Sequence, residues 1–278
     1  MNDEARPRDR LLSTRFDAAV AETRAGRRSI RETLLPRGTG TKSRPFLVEV
    51  AGVAGAGKST LTHLLCQGEA DCSRADFIHA RTPEHLAYVV HSLPRLLPIL
   101  TGNMRLRSRL SWAEFKLLVY VSEWHRFLNR KPEYDQGCTL LDQGPIYALV
   151  RLKAESKASG VPAFERWWNQ MIELWAHQLD AIIWLDAADQ VIWDRINERG
   201  QRHRTKGEPL EVGRRFLATY RRLFEEILDR VSILGGPEIL RFDTSEIGSE
   251  QIAEHFRPFL AAHSTRRPAS RRTMGGSR

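Results

Sequence analysis

The chain has only three cysteines among its 278 residues, Cys66, Cys72 and Cys138, at spacings that repeat nothing. An odd, unpatterned set excludes a disulfide framework and the paired spacing of a zinc site. It suits a reducing compartment in which thiols serve as small apolar residues. No run approaches the roughly 18 apolar residues of a membrane span, and the opening Met1-Asn2-Asp3-Glu4-Ala5-Arg6 lacks the apolar stretch of a secretory leader. No internal repeat is present. Acidic residues are missing altogether from residues 256–278, which hold 6 Lys and Arg, and residues 1–44 hold 11 Lys and Arg against 6 acids. The two ends thus carry +6 and +5 of a net charge of +9, while residues 45–255 carry −2. This distribution argues against a nucleic-acid groove in the core and leaves solvated arms able to touch polyanions weakly. The expectation is a soluble cytoplasmic protein, and the composition leaves a homodimer open.

What the chain does have is concentrated between Phe46 and Thr60. The apolar, β-branched run Phe46-Leu47-Val48-Glu49-Val50-Ala51 enters a complete G-x-x-x-x-G-K-S sequence, Gly52 to Ser59. In a strand-to-helix setting this is a phosphate-binding P-loop, whose backbone N–H groups point at one anion beside the positive end of a helix. Gly52, Gly55, Ala56, Gly57, Lys58, Ser59 and Thr60 are the candidate nucleotide-binding residues. Lys58 would reach the β- and γ-phosphates and Ser59 would hold Mg²⁺.

Around the P-loop, short apolar runs alternate with longer helical patterns. The candidate strands are Phe46 to Ala51, Asp76 to Ala80, Cys138 to Asp142, Ala181 to Asp186 and Glu238 to Asp243. Such alternation predicts an α/β, three-layer P-loop NTPase fold, with a parallel sheet of about five strands and helices on both faces. The expected division is an accessory helix and flexible linker over 1–44, a catalytic domain over 45–263 and a disordered basic tail over 264–278. Leu12, Phe16 and Val20 give the first segment a weak helical stripe. The tail has almost nothing apolar to bury. The Trp167, Trp168 and Trp175 group reads as packing.

Ligands of parallel sheets sit beyond the carboxyl ends of the strands, so the ends of these runs carry the chemistry. The third run ends in Asp142, where a P-loop protein places the acid that organises Mg²⁺; a cap for the following turn is the other reading. After the fourth run, Arg195 to Lys206 holds five Lys and Arg that repel one another unless an anion or water screens them. A transferring phosphoryl group is such an anion. Arg199, Arg202 and Arg204 are therefore candidate catalytic residues of an Arg-rich lid.

In this order the pieces resemble the thymidylate kinase and deoxynucleoside kinase group. Asp142-Gln143-Gly144 sits where those kinases carry Asp-Arg-Tyr or acid-Arg-Ser, Ile182 to Asp186 is similar to the strand before their lid, and Arg195 and Arg199 match an R-x-x-x-R spacing. Phe216 to Tyr220 and Asp243-Thr244-Ser245 are similar to later landmarks. The resemblance covers residues 45 to 258. It implies an acceptor site drawn from Arg81 and the helix Trp112 to Arg130, with Glu123, Trp124 and Arg126 at its centre. Trp112, Phe115 and Trp124 serve equally well as a core stripe. The chain also departs from the pattern: the P-loop Asp is Ala54, the Glu before the first P-loop glycine is Ala51, the acid after Arg81 is Thr82, and the arginine after the metal acid is Gln143. Glu49, on the strand face of Ala51, and Glu84 are two carboxylates placed to compensate; a partnered or exposed structural Glu is the other reading of each.

The expected activity is phosphoryl transfer from Mg²⁺-ATP to a small-molecule acceptor: a nucleoside, a nucleotide or a similar hydroxylated metabolite. A nucleotide-switched regulatory ATPase is the alternative. It is weakened by the lack of a guanine-reading N-K-x-D sequence and by Gln143 in place of a second acid.

Overall fold

The computed structural model describes residues 46–67, 72–75, 83–101, 110–129, 137–200 and 205–264. The expected accessory helix and linker, the tail beyond 264, and Arg81, Arg202 and Arg204 lie outside the described residues.

The chain builds β1 (Phe46–Gly52), α1 (Lys58–Cys66), β2 (Cys72–Ala75), α2 (Pro83–Thr101), α3 (Trp112–Leu128), β3 (Cys138–Asp142), α4 (Pro145–Glu155), α5 (Pro162–Gln178), β4 (Ala181–Asp186), α6 (Asp189–Glu198), α7 (Leu210–Ile233), β5 (Glu238–Asp243) and α8 (Ser249–Ser264). The five strands form one parallel sheet in the order β2-β3-β1-β4-β5. Its central strands are continuous apolar runs because both faces are covered: every residue of β3, and every residue of β1 after Phe46, is buried. Helices α1 and α8 pack together, while α4 packs on α7 and α3 on α2, giving a helical layer to each face. The α/β architecture is the expected one.

Local chemistry sets the helix starts. Ser111 and Glu114 form a reciprocal capping box at α3, and α4 and α5 each begin with a proline whose missing N–H costs nothing there. Trp167, Trp168 and Trp175 lie along α5 and are buried, as their spacing suggested. Their indole N–H groups donate to Ser122 Oγ (3.1 Å), Leu149 O (3.2 Å) and Val121 O (2.9 Å), so three large rings enter the core without leaving a donor unsatisfied. Cys66, Cys72 and Cys138 are free thiols. Hydrogen bonding from Cys66 to Cys72 and from Cys72 to Cys138, together with burial, raises the Cys66 and Cys72 thiols above their usual range. Among the described residues no helix is long and apolar enough to cross a membrane.

One strand differs from its expected place. The second strand begins at Cys72, paired with Cys138, and the apolar stretch 76–80 lies outside the described residues. At the sheet edge, the polar Ser73 and Arg74 face less covered surroundings, so the strand carries no apolar run.

Trp175→Ala removes a fully buried ring, its edge contact with Trp124 (centroids 6.2 Å apart) and its bond to Val121. The expected loss is about 3–5 kcal/mol. Urea unfolding measures it, with an unchanged m value showing that the same surface is exposed.

Candidate active site

The P-loop occupies the carboxyl end of β1. At Gly52, a Cβ would lie 2.3 Å from the carbonyl oxygen of Leu185, so the neighbouring strand β4 permits only glycine where the loop leaves the sheet. The loop ends at Gly57, left-handed at φ 91°, and α1 starts at Lys58. Lys58 is buried, donates from Nζ to Gly52 O (2.9 Å) and Val53 O (2.8 Å), and lies 5.5 Å from the centre of the Tyr147 ring. Burial lowers its ammonium pKa to about 8; Asp142 and Glu49 oppose that shift and Arg199 adds to it. Ser59 and Thr60, exposed at the first turn, leave their hydroxyls reachable at the positive end of the helix.

Asp142 ends β3, aligned with Val50 of β1. Its carboxylate is divided: Oδ2 lies 3.4 Å from an Arg74 guanidinium nitrogen, while Oδ1 is buried with no hydrogen-bond partner among the described residues. A buried carboxylate oxygen without a donor is costly unless a cation or water meets it. Among the described residues no three His, Cys, Asp or Glu side chains converge as a metal cage. A carboxylate, a hydroxyl and a nucleotide's own phosphates are the donor set that suits Mg²⁺, which keeps several of its waters. The Asp142 and Ser59 pair therefore fits that ion.

Glu49 was one of two carboxylates placed to compensate for Ala51. It is fully buried and its oxygens accept the N–H groups of Ile146 and Tyr147, each at 2.9 Å. Burial raises its carboxyl pKa to about 8 against the pull of those two bonds and of Lys58. Both of its oxygens are thus engaged at the start of α4. The side chain of Glu84 lies outside the described residues.

Arg195 and Arg199, expected at the start of a lid, both lie near the loop after β1. Arg195 donates to Thr244 Oγ1 (2.8 Å), Thr244 O (2.9 Å) and Gly55 O (3.4 Å), tying α6 to the P-loop and to the turn after β5. Arg199 caps the far end of α6, close enough for its charge to act on Lys58. Arg221, which the sequence reading missed, grips Asp186 (Nε to Oδ2 2.8 Å), Asp189 and Ala187 O. It is one residue past the landmark Tyr220, and only its spacing from α6 in three dimensions reveals it.

The acceptor residues meet a different fate. Trp124 is fully buried, its ring taken up by Tyr120 (4.0 Å between centroids) and Trp175, so it is a core residue and offers no face to a substrate. Glu123 is equally buried, ringed by Arg95 (3.5 Å), Arg126 (3.5 Å) and His91 (3.7 Å), with Arg126 and His91 also in contact. The carboxylate is held between two arginines and the His91 ring, whereas Arg126 keeps some exposure. The half of the stripe that reaches solvent is Trp112, stacked on Phe115. A cavity of about 490 Å³ lies elsewhere, between the end of α4, the turn 205–208 and α7; Glu155, Thr205, Arg215, Phe216 and Tyr220 line it.

Solved structures similar to this chain include thymidylate kinase from Candida albicans, at 16% identity over 81% of this chain and 94% of that one, with a TM-score of 0.50. Deoxyadenosine kinase from M. mycoides, solved with bound dATP, shares 15% identity over 78% of this chain and 100% of that one, with a TM-score of 0.45. No protein-family model and no curated protein sequence matches the chain. The first likeness shows a shared fold.

A pH dependence follows from Glu49. Its folded carboxyl is raised from 4.5 to about 8, so between those values the folded chain keeps a proton that the unfolded chain has released. Stability from this group is present below about pH 4.5 and is lost as pH rises towards 8, whereas Lys58 acts only above that window. Glu49→Gln removes the dependence. Melting temperatures of the two proteins across this range should diverge, with the wild type losing ground to the variant as pH rises.

Proposed function

We propose that the chain is an ATP-dependent small-molecule kinase, with residues 45–263 as the catalytic unit in the cytoplasm. The observation that carries this reading is the pairing at the ends of two adjacent strands: a complete P-loop with a buried Lys58, and Asp142 with one buried oxygen left without a donor. The P-loop amides and Lys58 would bind the ATP polyphosphate, and Ser59 and Asp142 would hold Mg²⁺. When bound, that ion neutralises charge on the phosphates. Arg199, with Arg202 and Arg204 beyond it, would add positive charge over the transferring group, and Lys58 would follow it.

The acceptor is a nucleoside, a nucleotide or a similar hydroxylated small molecule. Arg81 and Arg126 remain the residues proposed to meet it; Glu123 positions Arg126 and Trp124 supports the core beneath. A hydroxyl acceptor requires a base, and with Glu49 enclosed that role falls to Asp142 or Glu84. A phosphate acceptor requires none. The basic arms would add weak, salt-sensitive contacts with polyanions.

The test supplies Mg²⁺ and ATP labelled at the γ-phosphate with a panel of nucleosides, nucleoside monophosphates and polyhydroxylated metabolites. Mass spectrometry should find a phosphorylated acceptor; release of inorganic phosphate alone from every mixture would overturn the kinase reading in favour of a switch ATPase. Lys58→Ala and Asp142→Asn should each lower kcat by about 100-fold or more, since each removes several kcal/mol of charge stabilisation. Unchanged circular dichroism establishes that both variants fold.

A further inference from the structure

Helix α4 begins without the means to satisfy its own first amides. Its N-cap is Gly144, with no side chain, and Pro145 has no N–H; the first free donors are Ile146 and Tyr147. Both turn to Glu49, on β1 and 97 residues earlier in the chain. The fit is close on the other side too. A Cβ at Gly144 would lie 2.5 Å from Glu49 Cδ and 2.6 Å from Oε2, so the carboxylate occupies the space of the missing side chain. Between Gly144 and Asp142 stands Gln143 at φ 58°, a left-handed conformation that a non-glycine residue adopts only when its surroundings hold it there. One end of this turn is fixed by the pairing of β3 with β1, where Leu141 faces Glu49 and Asp142 faces Val50. The other end is fixed by the Glu49 carboxylate.

A carboxyl group in the middle of a central strand is an expensive way to fill a core, since apolar residues pack there without a desolvation cost. Its position is informative because the turn it secures carries a buried oxygen that has no hydrogen-bond partner among the described residues, Asp142 Oδ1. We propose that Glu49 is a positioning residue for Asp142: by capping α4 from β1 it fixes the turn 142–144, and thereby where Asp142 presents its free oxygen to the cation of the nucleotide. The inference rests on the kinase reading, in which Asp142 meets Mg²⁺. Glu49 itself touches neither substrate nor metal. The small residue at 144 belongs to the same device, because a side chain there and the carboxylate exclude each other.

Mn²⁺ serves as the probe, titrated by electron paramagnetic resonance into the full-length protein bound to a non-hydrolysable ATP analogue. Nucleotide binding in EDTA, measured by calorimetry, monitors the P-loop alone. Glu49→Gln places an amide N–H against a backbone N–H and should weaken Mn²⁺ by about tenfold while moving the metal-free nucleotide affinity by no more than about twofold. Gly144→Ala should do the same. Glu49→Asp, whose carboxylate is one methylene shorter, should weaken Mn²⁺ alone yet partly rescue Gly144→Ala in the double variant, a coupling expected only if the two residues share one space. Unchanged Mn²⁺ affinity in Glu49→Gln, beside a loss in Asp142→Asn, overturns the positioning role and leaves the metal role of Asp142 intact. Unchanged affinity in Asp142→Asn overturns that metal role, and this inference with it. If Glu49→Gln does not fold, the Glu49→Asp and Gly144→Ala pair decides: additive losses overturn the proposal and mutual rescue supports it.

Discussion

The first amides of α4 meet a carboxylate that comes from another strand, and the geometry of the site depends on that meeting. Leaving two buried N–H groups without acceptors would cost about 1–3 kcal/mol each, and an apolar residue at position 49 would do just that. Glu49 answers both donors, and the partial positive charge of the helix N-terminus favours it further. Against these stands the burial of the carboxyl, which raises its pKa to about 8. The helix start is thus bound to the strand that carries the P-loop. Lys58 and Asp142, on different elements, belong to one rigid frame.

Charge at this frame is unevenly matched. Lys58 feels Asp142 and Glu49 as partners and Arg199 as a repelling neighbour, and burial, joined by Arg199, outweighs the two acids and lowers its pKa. Arg74 is already engaged with Asp142. A polyphosphate entering over the loop brings negative charge to Lys58 and Arg199 together, which makes their mutual repulsion a part of what favours binding.

The fold was legible because its signals are local. Gly52 to Ser59 states a backbone path, and the apolar runs of β1, β3 and β4 are continuous because both faces are covered. Cys72 to Ala75 was missed since an edge strand with Ser73 and Arg74 shows no such run. The candidate site was proposed from sequence alone where a residue is marked by its own stretch of chain, as with Lys58 after the glycine-rich loop and Asp142 at the end of an apolar run. It was not legible where function depends on a distant partner: period-two placement put Glu49 on the right face of β1, but nothing in sequence says that α4 lies above it. Trp124 shows the converse. The stripe on α3 suits a core and a binding face alike, core being the favoured reading, and only the packing of Tyr120 and Trp175 against its ring shows Trp124 enclosed.

Helix α6 is held at both ends. Arg195 fastens the C-terminal half of α6 to Gly55 and Thr244, and Arg221 fastens its N-terminal end through Asp189 and the preceding Asp186. Gly55 in turn leaves no room above it: a Cβ there would lie 3.0 Å from Ile192 and 3.3 Å from Ile196, so α6 packs directly on the phosphate loop. With both ends tied and its apolar face on the loop, α6 cannot swing as a unit without breaking several charge-assisted bonds at once. The chain that follows Arg199 therefore departs from a set point beside Lys58. That set point follows from packing as well as charge, since Ile192 and Ile196 on the buried face of α6 meet the loop at Gly55.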